Sequence, residues 1–187
     1  MFKIALHGGL KSGKSTLAKS LEERGFQYLN YTDLIKQMLA EALAAIGVHV
    51  TVDEIRANKE KFRQLIIEFA AVVGFNDGFG IDRMLSEIKP DVTGVVFDNV
   101  RFLKQWEILQ PEGFVLVRLT TPERIRLARA RGEGMPRSEF EGYSAQLTEQ
   151  PLPPQADEIT LNVSGNLDKI LDTLTAEIVK RALPAQA

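Results

Sequence analysis

Residues 8–16 of the chain read GGLKSGKST, with the apolar run FKIAL before them and LAKSLEERG after. Gly8, Gly13, Lys14 and Ser15 fit the spacing G-x-x-x-x-G-K-[ST] without substitution, and Thr16 follows. Each residue type has a chemical reason to stand there. Glycines let the backbone take left-handed turns, so that N–H groups along Gly9, Lys11, Ser12 and Gly13 can point at phosphate oxygens. Lys14 would reach the outer phosphates of a nucleoside triphosphate and the Ser15 hydroxyl would ligate magnesium. A helix starting at Ser15 would turn the positive end of its dipole toward the same anion. The pattern reads as a cradle for magnesium-ATP, provided that a strand delivers it and a helix leaves it.

Such a cradle serves switches, motors and phosphotransferases alike, so residues elsewhere must decide among them. A GTPase would follow its cradle with D-x-x-G after a strand and with N-K-x-D for the base. Here DVTG at 91–94 precedes its strand, and NKEK at 58–61 lacks the aspartate. A ring ATPase would close the magnesium strand with two acids, whereas GVVFDNVR offers Asp98 alone. One carboxylate at that point suits magnesium or acceptor positioning in phosphoryl transfer, or an ordinary turn at a strand end. Asp33, at the end of YLNYTD, is expected to face the same cleft or to cap a helix. Arg101 lies three residues past Asp98, and its planar fork suits a second phosphate. Arg63, beside Leu65, Ile66 and Phe69 in KFRQLIIEF, is either a further phosphate ligand or a solvated arginine.

These residues need a scaffold that brings them together. The 187 residues suffice for one domain with a real core, and 44% hydrophobic with 26% charged residues is ordinary for a soluble protein. Short apolar runs at 2–6, 26–30, 94–98, 114–119 and 158–163 predict five strands. Helical periodicity marks 15–24, 32–46, 59–73, 79–88, 122–131 and 166–181. Strands alternating with helices predict a parallel sheet covered on both faces. Thr32, Thr121 and Asn166 stand where helix caps are expected, and QPLPPQ at 150–155 reads as a stiff connector. The long gap between the second and third strands predicts a helical insertion, about 34–90, at one edge of the sheet.

The absence of cysteine removes disulfides, zinc fingers, thiolate metal sites and thiol nucleophiles. A net charge of −2 argues against a broad nucleic-acid footprint. Arg124, Arg126, Arg129, Arg131 and Arg137 nevertheless crowd ERIRLARARGEGMPR, which reads as a solvated helix face or as a phosphate-binding surface. With neither an apolar span nor a leader pattern, a cytoplasmic location without membrane attachment is expected.

The motifs together resemble the nucleoside monophosphate kinase group of P-loop kinases, phage-type deoxynucleoside monophosphate kinases above all, with dephospho-coenzyme A kinase close behind. The resemblance runs through GGLKSGKST, LNYTDLIKQML, FRQLIIEFAAVVGF, FDNVRFLKQWEIL and TEQPLPPQADEITLNVSGNLDKI. The chain departs from that pattern at Leu34, Glu68 and Ala71. The resemblance implies a P-loop NTPase three-layer sandwich with a five-stranded parallel sheet, a helical acceptor-binding insertion and a short lid, about 124–150. It also implies ATP and magnesium at Lys14 and Ser15, with Asp98 sharing the metal. Asp33, Arg63, Asp98 and Arg101 would surround the acceptor, and lid arginines, Arg129 first and Arg131 second, would close over the donor. The implied substrates are small-molecule nucleotides, and a monomer or homodimer is expected. A hydroxyl acceptor, as in dephospho-coenzyme A kinase, would need a general base, for which Asp33 is the candidate. A nucleotide-binding switch or assembly module with slow hydrolysis is the alternative of another class.

Overall fold

The computed structural model describes residues 1–146 and 149–182, with backbone only at 59, 60 and 182. Five strands, β1 (Phe2–His7), β2 (Phe26–Asn30), β3 (Gly94–Asp98), β4 (Val115–Thr120) and β5 (Ile159–Asn162), form one parallel sheet in the order β2-β3-β1-β4-β5. Their apolar runs are continuous because both faces are covered. Ile4, Leu6, Val96, Val117 and Leu161 pack on one face with Leu17, Leu171 and Leu174. Ala5, Val95, Phe97 and Leu116 pack on the other with Leu34, Ile81, Trp106 and Leu109. Successive strand residues thus supply opposite cores, as the pleat requires.

Helix α1 (Lys14–Glu22) leaves the first strand through the glycine-rich loop, and α9 (Leu167–Ala182) follows the last. Between β2 and β3 lie α2 (Tyr31–Ala45), α3 (Val52–Ala57), α4 (Lys59–Val72), a 3-10 turn (Phe75–Asp77) and α5 (Ile81–Ser86). Tyr31 fastens this helical stretch to the sheet. Fully buried, it stacks on Phe75 at 3.8 Å, and its hydroxyl donates to the carbonyls of Phe75 at 3.1 Å and Phe79 at 2.8 Å. Helices α6 (Leu103–Leu109), α7 (Glu123–Gly132) and α8 (Arg137–Ser144) complete the chain. The sequence pattern does not predict α3, α6 or α8. With 6, 7 and 8 residues they span about two turns, too few to distinguish a helical period from an isolated apolar run.

Two expected caps move. Asn30, not Thr32, caps α2, its side-chain oxygen accepting from the Asp33 amide. Thr121 does not cap α7; its hydroxyl donates to the Ser12 carbonyl at 2.9 Å. Asn166 does cap α9, accepting from the amides of Asp168 and Lys169. Among the described residues, no helix is long and apolar enough to cross a membrane.

Candidate phosphoryl-transfer site

β1 lies in the middle of the sheet, so the loop that leaves it meets the carboxyl ends of β3 and β4 on either side. Within that loop Gly13 has φ +102° and Lys11 φ +58°, the left-handed turns expected of a cradle. No side chain caps α1, and its first backbone bond runs from Leu17 N to Gly13 O. The amides of Lys14, Ser15 and Thr16 are therefore left for an external acceptor. The loop carbonyls are held from behind: Leu10 O accepts from Arg126 Nη1 (3.3 Å), Lys11 O from Arg129 Nη1 (3.2 Å) and Ser12 O from Thr121 Oγ1. Carbonyls tied on one side leave the opposite side of these peptides to N–H groups, of which that of Ser12 is taken by Gly9 O at 3.1 Å.

A cleft of about 1040 Å³ opens in front of this loop. Lys14, Ser15, Asp98 and Arg101 line it from the sheet, Arg63 with Ile66 and Ala70 from α4, and Arg129 from α7. Lys14 Nζ bridges the carbonyls of Gly8 at 2.5 Å and Gly9 at 3.2 Å. Burial lowers its ammonium to about 8, with Arg101 adding to the shift while Asp98 and Glu149 oppose it. Ser15 Oγ donates to Asp98 Oδ2 at 3.1 Å, and Tyr28 Oη donates to the same oxygen at 2.8 Å. Burial, then the Asp98 charge, pushes the Tyr28 hydroxyl above its ordinary range, so it remains a donor.

Asp98 is 3% exposed, and its Oδ1 is buried without a hydrogen-bond partner. A hydroxyl next to a carboxylate with an unsatisfied oxygen is a donor set suited to magnesium, which takes oxygen ligands and keeps several waters. No cluster of three or more acidic or histidine side chains suits a metal among the described residues. Ser15 and Asp98 would therefore hold the ion jointly with substrate phosphates.

The structure relocates two of the expected site residues. Asp33 does not line the cleft. Its neighbours Asn30, Thr32, Ile35 and Lys36 do, so strand order is not the cause: the Asp33 side chain is engaged by Arg56 of α3. The Asp33 carboxylate binds Lys36 at 2.7 Å and Arg56 at 3.0 Å. Burial raises this group, but the hydrogen bonds and charges of Lys36 and Arg56 more than offset it and hold it below the usual carboxylate range. That environment opposes a role as general base. Arg131 is exposed and also outside the cleft. Positions 126 and 129 share one face of α7, which the C-cap residue Glu133 continues, and residue 131 is turned to another.

Arg129 lines the cleft, yet its guanidinium serves the loop, reaching Lys11 O and, at 2.7 Å, Val163 O. Arg129→Ala should therefore loosen the cradle and raise the KM for ATP about tenfold, ~1.4 kcal/mol. Initial rates at varied ATP check this, and an unchanged ATP KM would show that the loop holds its shape alone. Arg63 stacks its guanidinium over Tyr143 of α8, 3.4 Å from the ring centroid, joining the helical stretch after β2 to the segment after α7. The TEQ motif lies only partly within the described residues, because Thr148 falls outside them.

Sequence reasoning assigns no role to several residues that the structure brings here. Glu149 pairs with Arg101, Glu133 pairs with Lys11, and Asn99 takes φ +85° with its amide donating to Thr32 Oγ1 at 2.7 Å. His7, directly before the cradle, is 4% exposed. Its Nε2 accepts from Leu152 N at 3.0 Å, which makes Nδ1 the donor to Val100 O at 2.8 Å. A polar residue at the end of a buried strand is the one signal that could have drawn attention to it.

Burial pushes the His7 imidazole down to about 4; Arg118 and Lys14 add to the shift, and the Val100 hydrogen bond opposes it. Between pH 6.5 and about 4 the unfolded chain binds a proton here that the folded chain excludes. This contribution to stability is complete above pH 6.5 and is lost as pH falls toward 4, amounting to about 3 kcal/mol. Denaturant titrations at pH 7 and 4.5 should show the loss, reduced in His7→Gln; equal slopes in both proteins would contradict it.

The five-stranded parallel sheet, with the glycine-rich loop between β1 and α1 at its carboxyl edge, defines an α/β fold. No family model matches the chain. It is 23% identical over 184 residues to a dephospho-CoA kinase from Frankia casuarinae, covering 91% of this chain and 79% of that protein. A solved gluconokinase from Sinorhizobium meliloti 1021 superposes with a TM-score of 0.58 at 18% identity, covering 97% of this chain and 93% of its own. A sugar kinase from Janibacter sp. HTCC2649 gives 0.54 at 15% identity, covering 96% and 95%. The chain thus shares the fold of these two solved kinases.

Proposed function

We propose that the protein transfers the γ-phosphoryl group of ATP to a nucleoside monophosphate, in particular a deoxynucleoside monophosphate, giving the diphosphate. The observation that carries this reading is the pairing of a single buried carboxylate, Asp98, with Arg101 at the strand end beside the cradle. No second acid follows Asp98 at the end of β3, and the carboxylate that the fold brings to this side of the cleft, Glu149, is paired with the phosphate-binding cation Arg101. In this reading α2–α5 form the acceptor-binding insertion, and α7, α8 and the residues to about 150 form the lid.

Residues of the loop and Lys14 bind the ATP phosphates, and Arg101 with Arg63 orients the acceptor's phosphate. One of its oxygens attacks the γ-phosphorus in line, the bond to the β–γ bridging oxygen breaks, and ADP leaves. The attacking phosphate is already an anion, so no base is required. Bound magnesium, held by Ser15 and Asp98, would supply charge neutralisation between the outer phosphates. Closure of α7 and α8 toward the insertion, where Tyr143 meets Arg63, would exclude water and suppress hydrolysis.

The relative from Frankia favours a second reading, in which the acceptor presents a sugar hydroxyl, as in dephospho-coenzyme A. A proton must then be removed, and the unpartnered Oδ1 of Asp98 is better suited to take it than the doubly paired Asp33. Incubating the protein with ATP and, separately, each nucleoside monophosphate, each deoxynucleoside monophosphate and dephospho-coenzyme A tests both. A monophosphate that multiplies ATP consumption supports the first reading; stimulation by dephospho-coenzyme A alone replaces it with the second; slow hydrolysis indifferent to every acceptor refutes both in favour of a switch or assembly module.

A further inference from the structure

Glu149 joins the cleft from a segment far along the chain. Its Oε1 accepts from Arg101 Nη1, its Oε2 is buried without a hydrogen-bond partner, and the side chain is 8% exposed against 24% for Arg101. A carboxylate this dry is costly unless a cation compensates it, so the pair has a strong reason to stay closed. The segment behind it is fastened too. Leu152 N donates to His7 Nε2, and His7 Nδ1 donates to the carbonyl of Val100, the residue before Arg101. Val100 N in turn donates to Leu6 O at 3.0 Å, and Arg118 Nη2 donates to Pro153 O at 3.1 Å. One buried imidazole thus connects the strand end before the cradle, the turn carrying Arg101 and the proline-rich stretch following Glu149.

We propose that Glu149 is a positioning residue for phosphoryl transfer: it fixes the Arg101 guanidinium at the acceptor side of the cleft, and His7 seats the segment from which it acts. The proposal rests on the reading that Arg101 binds the acceptor's phosphate. An arginine side chain has several soft torsions, and immobilising it at the moment of binding opposes affinity. A guanidinium already held by Glu149 meets the phosphate with much of that cost removed and with its fork oriented. The Arg101 backbone is fixed as well, its amide donating to Gln105 Oε1 at 2.9 Å.

A double-mutant cycle tests this in the full chain with Glu149→Gln, Arg101→Ala and the pair, reading acceptor KM, ATP KM and Tm. Glu149→Gln should raise the acceptor KM about tenfold with the ATP KM within about twofold, and should add nothing in the Arg101→Ala background. Arg101→Ala alone leaves the carboxylate without its cation and should lower Tm by on the order of 10 °C, and the double variant should recover most of that. Glu149→Asp, which keeps the charge on a shorter stem, should restore part of the acceptor affinity and guards against a glutamine variant that folds poorly. Equal rises in both KM values, or effects that multiply in the double variant, would overturn the proposal while leaving the acceptor reading intact. If the wild-type protein phosphorylates no monophosphate, the acceptor reading falls and the proposal falls with it.

Discussion

Lys14→Ala should lower kcat/KM for phosphoryl transfer by about three orders of magnitude, ~4 kcal/mol of transition-state stabilisation. The ammonium lies across the cradle, within reach of two loop carbonyls, where a triphosphate's outer oxygens would draw it away. Charge developing on the transferred group and the leaving oxygen needs a fixed cation, and no other lysine of the loop is so placed: Lys11 is paired with Glu133. The fold should survive the change. Burial already disfavours the charged amine, holding it near 8, so its removal relieves a desolvation cost while losing two hydrogen bonds. Single-turnover rates with calorimetric Tm as a control check the result. Wild-type turnover in the folded variant would remove Lys14 from the chemistry.

Asp98→Asn should reduce kcat by roughly two to three orders of magnitude and weaken the dependence of nucleotide binding on magnesium. The amide oxygen can still accept from Ser15 and Tyr28, so the local shape is kept. What changes is the buried Oδ1, which becomes an N–H donor in a place with no acceptor, and the negative charge, which is lost. Calorimetric titration with ADP, with and without magnesium, reads this apart from turnover. In the wild-type chain magnesium should tighten ADP binding, and in the variant the two titrations should converge. An undiminished magnesium effect would show that Asp98 does not share in holding the ion.

The cradle could be read from sequence because its chemistry is local: glycines, lysine and serine act within nine consecutive residues, and the backbone angles at Lys11 and Gly13 follow from them. The strands could be read because burial on both sheet faces leaves continuous apolar runs. Strand order is a global property with no counterpart in any one segment, and the partner that holds Asp33 out of the cleft is no more local: Arg56 reaches it from α3, 23 positions on. Thr121 and Arg129 show the same limit on a smaller scale. Their types suit a cap and a lid cation, but each finds a loop carbonyl whose position only the packed fold determines. Glu149 and His7 lie further still from any local signal, with partners 48 and 145 positions away in the chain.

In the proposed function, phosphate passes from ATP to a second phosphate and not to water. The direct measurement is the fate of a γ-labelled ATP phosphate when the protein is mixed with magnesium and deoxynucleoside monophosphates. Label should be recovered as the terminal phosphate of a deoxynucleoside diphosphate, with little in inorganic phosphate. Label found only in inorganic phosphate, at a rate unaffected by the monophosphate, would contradict it.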